Sequence, residues 1–253
     1  MPKSKGYFGF LSGNSLKLLA CVFMFFDHFG MIFFPSVSLF RGIGRLAFPI
    51  FAFMIAEGAK YTRSKLRYFL NVGVLALGME GVYYLCFGQP VLSIFVSFSF
   101  SLIMIFSLDL FKGCLFSGSR ISIKILSAFP FIAAVLFTLI SDRLLTAQFG
   151  RPFDYGFIGA CLPLLASFFR MPEKAPSRLK MLDNHFIHLL LFALGLAFYS
   201  FRTFRLQLLS LLALPILTLY SGKRGRLRIK YFFYIFYPLH LCILQIIYWI
   251  INA

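Results

Sequence analysis

Residues 15–35 read SLKLLACVFMFFDHFGMIFFP, an apolar run that contains Lys17, Asp27 and His28. A bilayer core of roughly 30 Å needs about 20 apolar helical residues, so this run predicts a membrane-spanning helix. No small-residue cleavage site follows it, which favours an uncleaved signal anchor over a removed signal peptide. Ionisable groups are costly at this depth, so the same stretch is also the first candidate for a functional site.

The rest of the 253-residue chain has the same character. Hydrophobic residues make up 60% of it and charged residues 13%, with 36 Phe. Soluble domains have about 45–50% apolar and about 25% charged residues, so the composition excludes that class, and it is too apolar for a disordered chain. The formal net charge of +17 would ordinarily suggest nucleic acid. In a membrane protein the charges must first be placed relative to the bilayer, and we predict no nucleic-acid partner.

Nine apolar runs are bounded by turn formers or basic clusters, and no ten-residue alternation supports a barrel. The longest gap between runs is about 15 residues, too short for a soluble domain. We therefore predict an all-α polytopic bundle forming a single integral membrane domain over residues 1–253. The second and sixth spans are short and interrupted by polar residues. The predicted spans are 15–35, 45–61, 66–88, 91–111, 121–141, 155–170, 185–200, 204–220 and 231–251.

The basic residues orient these spans. With a cytoplasmic N-terminus, 18 of the 25 Lys and Arg, among them Lys3, Lys5 and Arg228, fall in predicted cytoplasmic segments, 6 fall outside, and Lys17 lies within the first span. Cytoplasmic loops carry an excess of Lys and Arg, so we predict nine spans in the inner (cytoplasmic) membrane, N-terminus in and C-terminus out. The same basic face is expected to contact anionic membrane lipids.

The first span combines a base with a cation on one face. Lys17 and His28 are separated by close to three helical turns and therefore project in the same direction. A neutral imidazole accepts a proton near neutral pH, and a nearby carboxylate such as Asp27 favours the imidazolium that results. The alternative is a structural Asp-His pair that holds helices together.

Other polar residues at membrane depth extend the candidate site. Two arginines, one of them Arg45, flank a glycine-bearing turn before the second span, where Arg45 is either functional or an interfacial anchor. Glu57 lies deeper in that span and needs a partner. Asp154 and Tyr155 stand at the outer mouth of the sixth span. His240 lies near mid-membrane in the last span, where a packing role is the alternative.

Several other chemistries lack support in the sequence. His185 and His188 are close together in sequence, but only Asp183 offers a further ligand nearby, so we predict no metal site. The five cysteines form no CxxC pair and are interpreted as small core residues. A P-loop, a dinucleotide fingerprint and a G-x-S-x-G elbow are absent, as are the matched broken-helix halves of many transporters.

Four segments together resemble the TraX family of membrane proteins. They are LKLLACVFMFFDHFGMIFFP (16–35), RGIGRLAFPIFAFMIAEGAKYTRSKLRYFL (41–70), FDYGFIGACLPLL (153–165) and FYIFYPLHLCIL (233–244). The similarity is strong over most of the range 1–85, and the Asp-His pair with Gly-Arg-x-x-x-Pro is quite specific. The family is known for N-terminal acetylation of conjugative pilin.

This resemblance implies an integral membrane acyltransferase. It would transfer an acetyl group from acetyl-CoA, without a metal, to an amine such as a pilin N-terminus or to a hydroxyl. Many acyl-transferring membrane enzymes carry an Arg, ten residues and then a His in the first helix. Lys17 stands where that Arg would be, and His28 matches the His. Lys keeps the charge but loses the planar fork of Arg.

On this interpretation His28 is the general base, Asp27 orients it and holds its positive charge, and Arg45 positions the acceptor or stabilises developing charge. Further polar residues are assigned to binding. Those expected to line the substrate pocket are Lys17, Glu57, Asp154, Tyr155 and His240. Those expected to bind the phosphates of CoA, unless they are topology signals alone, are Lys60, Arg63, Lys65 and Arg67.

Two other functions remain open at this point. One is a proton-coupled transporter or flippase that uses Asp27, His28 and Glu57 as a relay. The other is a non-catalytic assembly factor for a secretion or pilus machine, with its polar residues joining helices. The sequence also does not distinguish a protein acceptor from a glycan or a lipid.

Overall fold

The computed structural model describes residues 7, 9–226 and 229–252, apart from the side chains of residues 86, 87, 230 and 231. The described chain is helical, with no strand and one isolated parallel β-bridge, between Leu11 and Tyr220. The all-α prediction is thus confirmed for these residues. Of the basic residues named in the topology prediction, Lys3, Lys5 and Arg228 lie outside the described residues.

The helices follow the apolar runs closely. In chain order they are α1 (Gly13–Phe33), α2 (Ser38–Gly44), α3 (Ala47–Tyr61), α4 (Lys65–Phe87), α5 (Ile94–Leu115), α6 (Ile121–Phe149), α7 (Gly156–Ser167), α8 (Ser177–Lys180), α9 (His185–Arg202), a 3-10 helix (Arg205–Leu212), α10 (Ala213–Thr218) and α11 (Lys230–Asn252).

Seven helical segments in the described residues are long and apolar enough to cross a membrane, which makes this a multi-pass membrane protein. They are α1, the α2–α3 segment Ser38–Tyr61, α4, α5, α6, α9 and α11. The sixth and eighth predicted spans correspond to shorter helices, Gly156–Ser167 and Arg205–Thr218. The 12 residues of α7 rise only about 18 Å, less than the thickness of a bilayer core. The number of crossings therefore stays a prediction.

Local signals account for the helix boundaries. Ser12 caps α1 by accepting a hydrogen bond from the N–H of Ser15. α4 and α6 end at Gly88 and Gly150, whose positive φ values of 70° and 71° suit a left-handed helix terminus. The carboxylate of Glu80 accepts the N–H groups of residues 92 and 93 and so satisfies donors at the start of α5.

The chain packs as two compact units, and the boundaries between them fall inside α3 and α9. The first unit contains the described residues up to Met54 and those from Leu196 onward. In it, α1 packs against α2 and α11. Two contacts fix the direction of α11: the ring of Phe233 lies under the Lys17 ammonium, and that of Tyr248 contacts Phe33. α1 and α11 therefore run parallel.

The second unit, Ile55–Gly195, is organised around α5, which packs against α4, α6 and α7. The hydroxyl of Ser101 donates to the carbonyl of Ala160 and ties α5 to α7. The Lys112 ammonium donates to the carbonyls of Ser167 and Arg170 at the end of α7, where a cation complements the helix dipole. The prediction of one integral membrane domain concerns the whole chain and stays a prediction.

Candidate active site in the first unit

The imidazole rings of His28 and His240 form a hydrogen-bonded pair in the first unit. Nδ1 of His28 on α1 lies 2.8 Å from Nε2 of His240 on α11. Tyr237, one turn before His240, places its ring edge-on to His28 with 6.0 Å between centroids. Both histidines were predicted from the sequence to belong to the site, and in the structure they contact each other directly.

A backbone contact assigns the protons of this pair. Nδ1 of His240 lies 2.7 Å from the carbonyl oxygen of Phe236, which only accepts hydrogen bonds, so we assign a proton to that nitrogen. Nε2 of a neutral His240 must then accept, and Nδ1 of His28 donates to it. The lone pair of His28 is consequently on Nε2. These two hydrogen bonds therefore leave Nε2 as the His28 nitrogen that is free to accept a proton.

Asp27 faces a different set of groups. Its carboxylate forms ion pairs with Arg41 and Arg45, at 3.4 and 3.5 Å. Consecutive helical residues point about 100° apart, so Asp27 and His28 meet different neighbours. Asp27 was predicted to orient His28, but the hydrogen-bond partner of Nδ1 is His240. Arg41 is the other of the two arginines that flank the turn before the second predicted span, and the sequence gives it no further role.

The turn that carries both arginines approaches α1 closely. A methyl group at Gly44 would lie 2.2 Å from Cβ of Asp27, so only glycine fits there. The side chain of Arg45 is 9% exposed and that of Arg41 is 29% exposed, which leaves Arg41 as the more accessible cation. The guanidinium of Arg45 also lies over the ring of Phe204.

The cluster retains one positive charge and an unused donor. Two guanidinium groups face one carboxylate, and Nε of Arg45 is buried without a hydrogen-bond partner among the described residues. A buried cation with a free N–H beside a base is suited to stabilising negative charge as it develops.

One protein family, described as TraX protein, matches residues 12–248, nearly the whole chain. The chain belongs to the TraX family. The resemblance drawn from the four sequence motifs is thereby confirmed. No curated protein and no solved structure matches the chain.

The second unit of this TraX-family protein holds three of the predicted pocket residues. Glu57 is buried and forms an ion pair with Arg170 at 2.5 Å, so it has the partner that its position required. The backbone N–H of Asp154 donates to the carbonyl of Leu92. Tyr155 adopts a positive φ of 66° immediately before α7. Their predicted role in substrate binding stays a prediction.

The four cations predicted to bind CoA phosphates also belong to the second unit. Lys65 pairs with Asp109 at 2.7 Å, and the ammonium of Lys60 lies over the ring of Tyr61. Arg63 and Arg67 are exposed. In this TraX-family chain, at least one of the four charges is therefore already paired with an acid.

The histidines at the start of α9 have a local partner. His188 lies 3.3 Å from the carboxylate of Asp183, and no group of three or more His, Cys, Asp or Glu in the described part of the chain is arranged to hold a metal. Burial by itself raises the pKa of Asp183, but hydrogen bonds from His188 and from the N–H of Met171 hold that pKa below its ordinary value.

Proposed function

We propose that this TraX-family protein is an integral membrane acyltransferase that moves an acetyl group from acetyl-CoA to an amine or hydroxyl acceptor. The observation that carries the proposal is the His28–His240 pair, which leaves Nε2 of His28 as the basic nitrogen. Beside it, Arg41 and Arg45 share one carboxylate and retain a positive charge. A positioned base and a preorganised cation are the two components that acyl transfer requires.

In the proposed reaction, Nε2 of His28 accepts the proton of the attacking amine or hydroxyl. The acceptor forms a bond to the acetyl carbon, and Arg45 offers its free Nε–H to the oxygen on which negative charge develops. As the C–S bond breaks, the imidazolium of His28 returns its proton to the departing thiolate. His240 keeps Nδ1 of His28 engaged throughout.

We infer that the protein lies in the cytoplasmic membrane with its N-terminus inside and its C-terminus outside. Any odd number of spans, nine included, requires the first and last helices to run in the same direction, as α1 and α11 do. His28 lies about 22 Å along α1 from the first residue of that helix, which puts it in the outer half of the bilayer. The donor would enter from the cytoplasm and meet the acceptor there.

The acceptor in the proposed reaction belongs to one of three classes, a protein, a glycan or a lipid. Family membership favours a protein acceptor, namely the N-terminal amine of a conjugative pilin. A glycan or lipid hydroxyl would use the same base and the same cation. A pilin or conjugation gene cluster beside this gene would support the protein acceptor.

The test is the release of CoA thiol by purified protein in detergent, with acetyl-CoA as donor and pilin N-terminal peptides, glycans or lipids as acceptors. We expect acceptor-dependent release by the wild type and none by His28→Ala, which should still elute as a folded monodisperse species. Retained turnover in His28→Ala would exclude the assigned base. Proton-coupled uptake into liposomes that depends on Asp27, with no acyl transfer, would favour the transporter instead.

A further inference from the structure

Acidic residues are distributed unevenly between the two units. Asp27 is the only Asp or Glu in the sequence of the first unit, which contains twelve Lys and Arg; the other seven acids belong to the second unit. Asp27 is already engaged by Arg41 and Arg45. The remaining cations of the first unit therefore have no acid of their own unit to neutralise them.

Some of these cations are held in a defined segment, residues 219–225, which we call the basic strap. Its backbone pairs with the chain at the start of α1. The N–H groups of Gly13 and Asn14 donate to the carbonyls of Lys223 and Arg224, at 2.8 and 2.9 Å. These bonds satisfy two donors that a helix N-terminus otherwise leaves free, so the strap is a built part of the first unit.

Two more features fix the strap in place. The N–H of Leu11 donates to the carbonyl of Leu219, and the N–H of Ser221 donates back to Leu11, both at 2.8 Å. Gly225 has a φ of 98°, and a methyl group there would lie 2.6 Å from Oγ of Ser12. The strap therefore tolerates changes in its exposed side chains better than changes in its glycines.

The strap brings Lys223 and Arg224 to the turn of α1 that carries Lys17. The ammonium of Lys17 lies over the ring of Phe233. None of these three cations forms an ion pair with any residue that the structure describes. Like charges held together without an acid repel one another, and an anionic ligand with more than one charge relieves that repulsion.

We propose that Lys17, Lys223 and Arg224 form an organophosphate site that binds the diphosphate of the acyl-CoA donor. The inference rests on the proposed function for the identity of the ligand. It assigns donor binding to the first unit, whereas the sequence alone pointed to the four cations at the end of α3, in the turn after it and at the start of α4. There, Lys65 already has an acidic partner in Asp109.

The distance along α1 suits this donor. Lys17 and His28 are on one face and close to three turns apart, a rise of about 16 Å. Thirteen bonds join the thioester sulfur of CoA to its nearest phosphorus, which by comparison with extended peptide gives a reach of roughly 15 Å. Phosphates at Lys17 would thus bring the thioester to His28.

The test measures CoA binding directly, by isothermal titration of the purified full-length protein in a neutral detergent. Lys223→Ala/Arg224→Ala keeps every backbone bond of the strap but removes both charges. We expect it to bind CoA about tenfold more weakly, the scale of losing two exposed charge-assisted contacts. Lys17→Met, which keeps the apolar stem, is expected to weaken binding similarly. Arg202→Ala/Arg205→Ala removes two exposed charges of the same unit and is the matched control, expected to bind like the wild type.

Kinetics add a second readout. The same strap variant should raise KM for acetyl-CoA about tenfold and leave turnover of S-acetyl-N-acetylcysteamine, a donor without phosphates, unchanged. CoA binding that depends on Lys223 and Arg224 without any acyl transfer would support the site while refuting the proposed function. Acyl transfer with wild-type CoA affinity in the strap variant would refute the site alone.

The phosphate of a lipid headgroup has the same charge chemistry as the diphosphate of CoA and is the other candidate ligand for this site. Vesicles of phosphatidylcholine alone and vesicles of phosphatidylcholine mixed with phosphatidylglycerol separate the two sources. If the strap variant loses only retention of phosphatidylglycerol and binds CoA normally, the site holds lipid and the proposal is overturned. A larger loss of CoA affinity in Arg63→Ala/Arg67→Ala than in the strap variant would also overturn it.

Discussion

Replacing His240 tests the tautomer assigned to His28. In His240→Leu the hydrogen bond to Nδ1 of His28 is lost while the side-chain volume is nearly kept. During transfer His28 becomes an imidazolium, so the lost bond is charge-assisted and contributes about 1.5–3 kcal/mol. Each 1.4 kcal/mol corresponds to a factor of ten, so kcat should fall about 10- to 100-fold. In His240→Gln the amide oxygen still accepts from Nδ1, and kcat should stay within about tenfold of the wild type.

The assay is the steady-state release of CoA thiol at saturating acceptor, with thermal unfolding of each variant as the control for folding. KM for acetyl-CoA should not change, because His240 positions the base and does not hold the donor. A wild-type kcat in His240→Leu would refute the assigned tautomer. Equal inactivity of the Leu and Gln variants would show that His240 carries protons itself rather than positioning His28.

Three further predictions concern packing and charge in both units. Gly44→Ala should lower the stability by about 2 kcal/mol, because its methyl group would overlap the neighbouring aspartate, whereas Gly73→Ala, inside α4 with nothing within 4 Å, should unfold at or slightly above the wild-type temperature. Glu57→Gln should cost about 3 kcal/mol by leaving Arg170 buried and unpaired, and replacing both residues by Met should recover most of the loss in thermal melts. Asp183→Asn should lower the melting temperature above about pH 4, because the pKa of this carboxyl is depressed in the folded protein. The difference in melting temperature between variant and wild type should shrink as the pH falls through that folded pKa. A difference that stays constant with pH would contradict the pairing of Asp183 with His188.

The sequence was sufficient to locate the helices because the signal for them is local. Apolar runs bounded by turn formers or basic clusters correspond to helices at all nine predicted positions. The ends of helices differ from the predicted ends where a capping residue determines them. α6, for example, continues beyond its predicted end at residue 141 to Phe149, where Gly150 caps it. The shortness of α7 was anticipated only as a weak, interrupted span, since hydropathy reports composition better than helix length.

The pairings within the site depend on packing, which hydropathy does not encode. His28 and His240 are 212 residues apart, and Glu57 and its partner Arg170 are 113 apart. Because an ionisable group in a membrane is costly, three of these four residues are candidates from the sequence alone. The sequence does not show which residues they contact. Arg170 went unrecognised because it lies in a basic loop that already had an explanation as a topology signal. Glu57, an acid at membrane depth that needs a partner, was the one clue that such a cation must exist.

The central claim is that His28 acts as the base of acyl transfer, and the most direct measurement is single-turnover transfer of a labelled acetyl group by reconstituted wild type and His28→Gln. Glutamine can still donate to His240 but cannot take up a proton. We predict labelled acceptor from the wild type and a rate at least about 100-fold lower from the variant, with CoA affinity and melting temperature preserved. Equal rates would contradict the account.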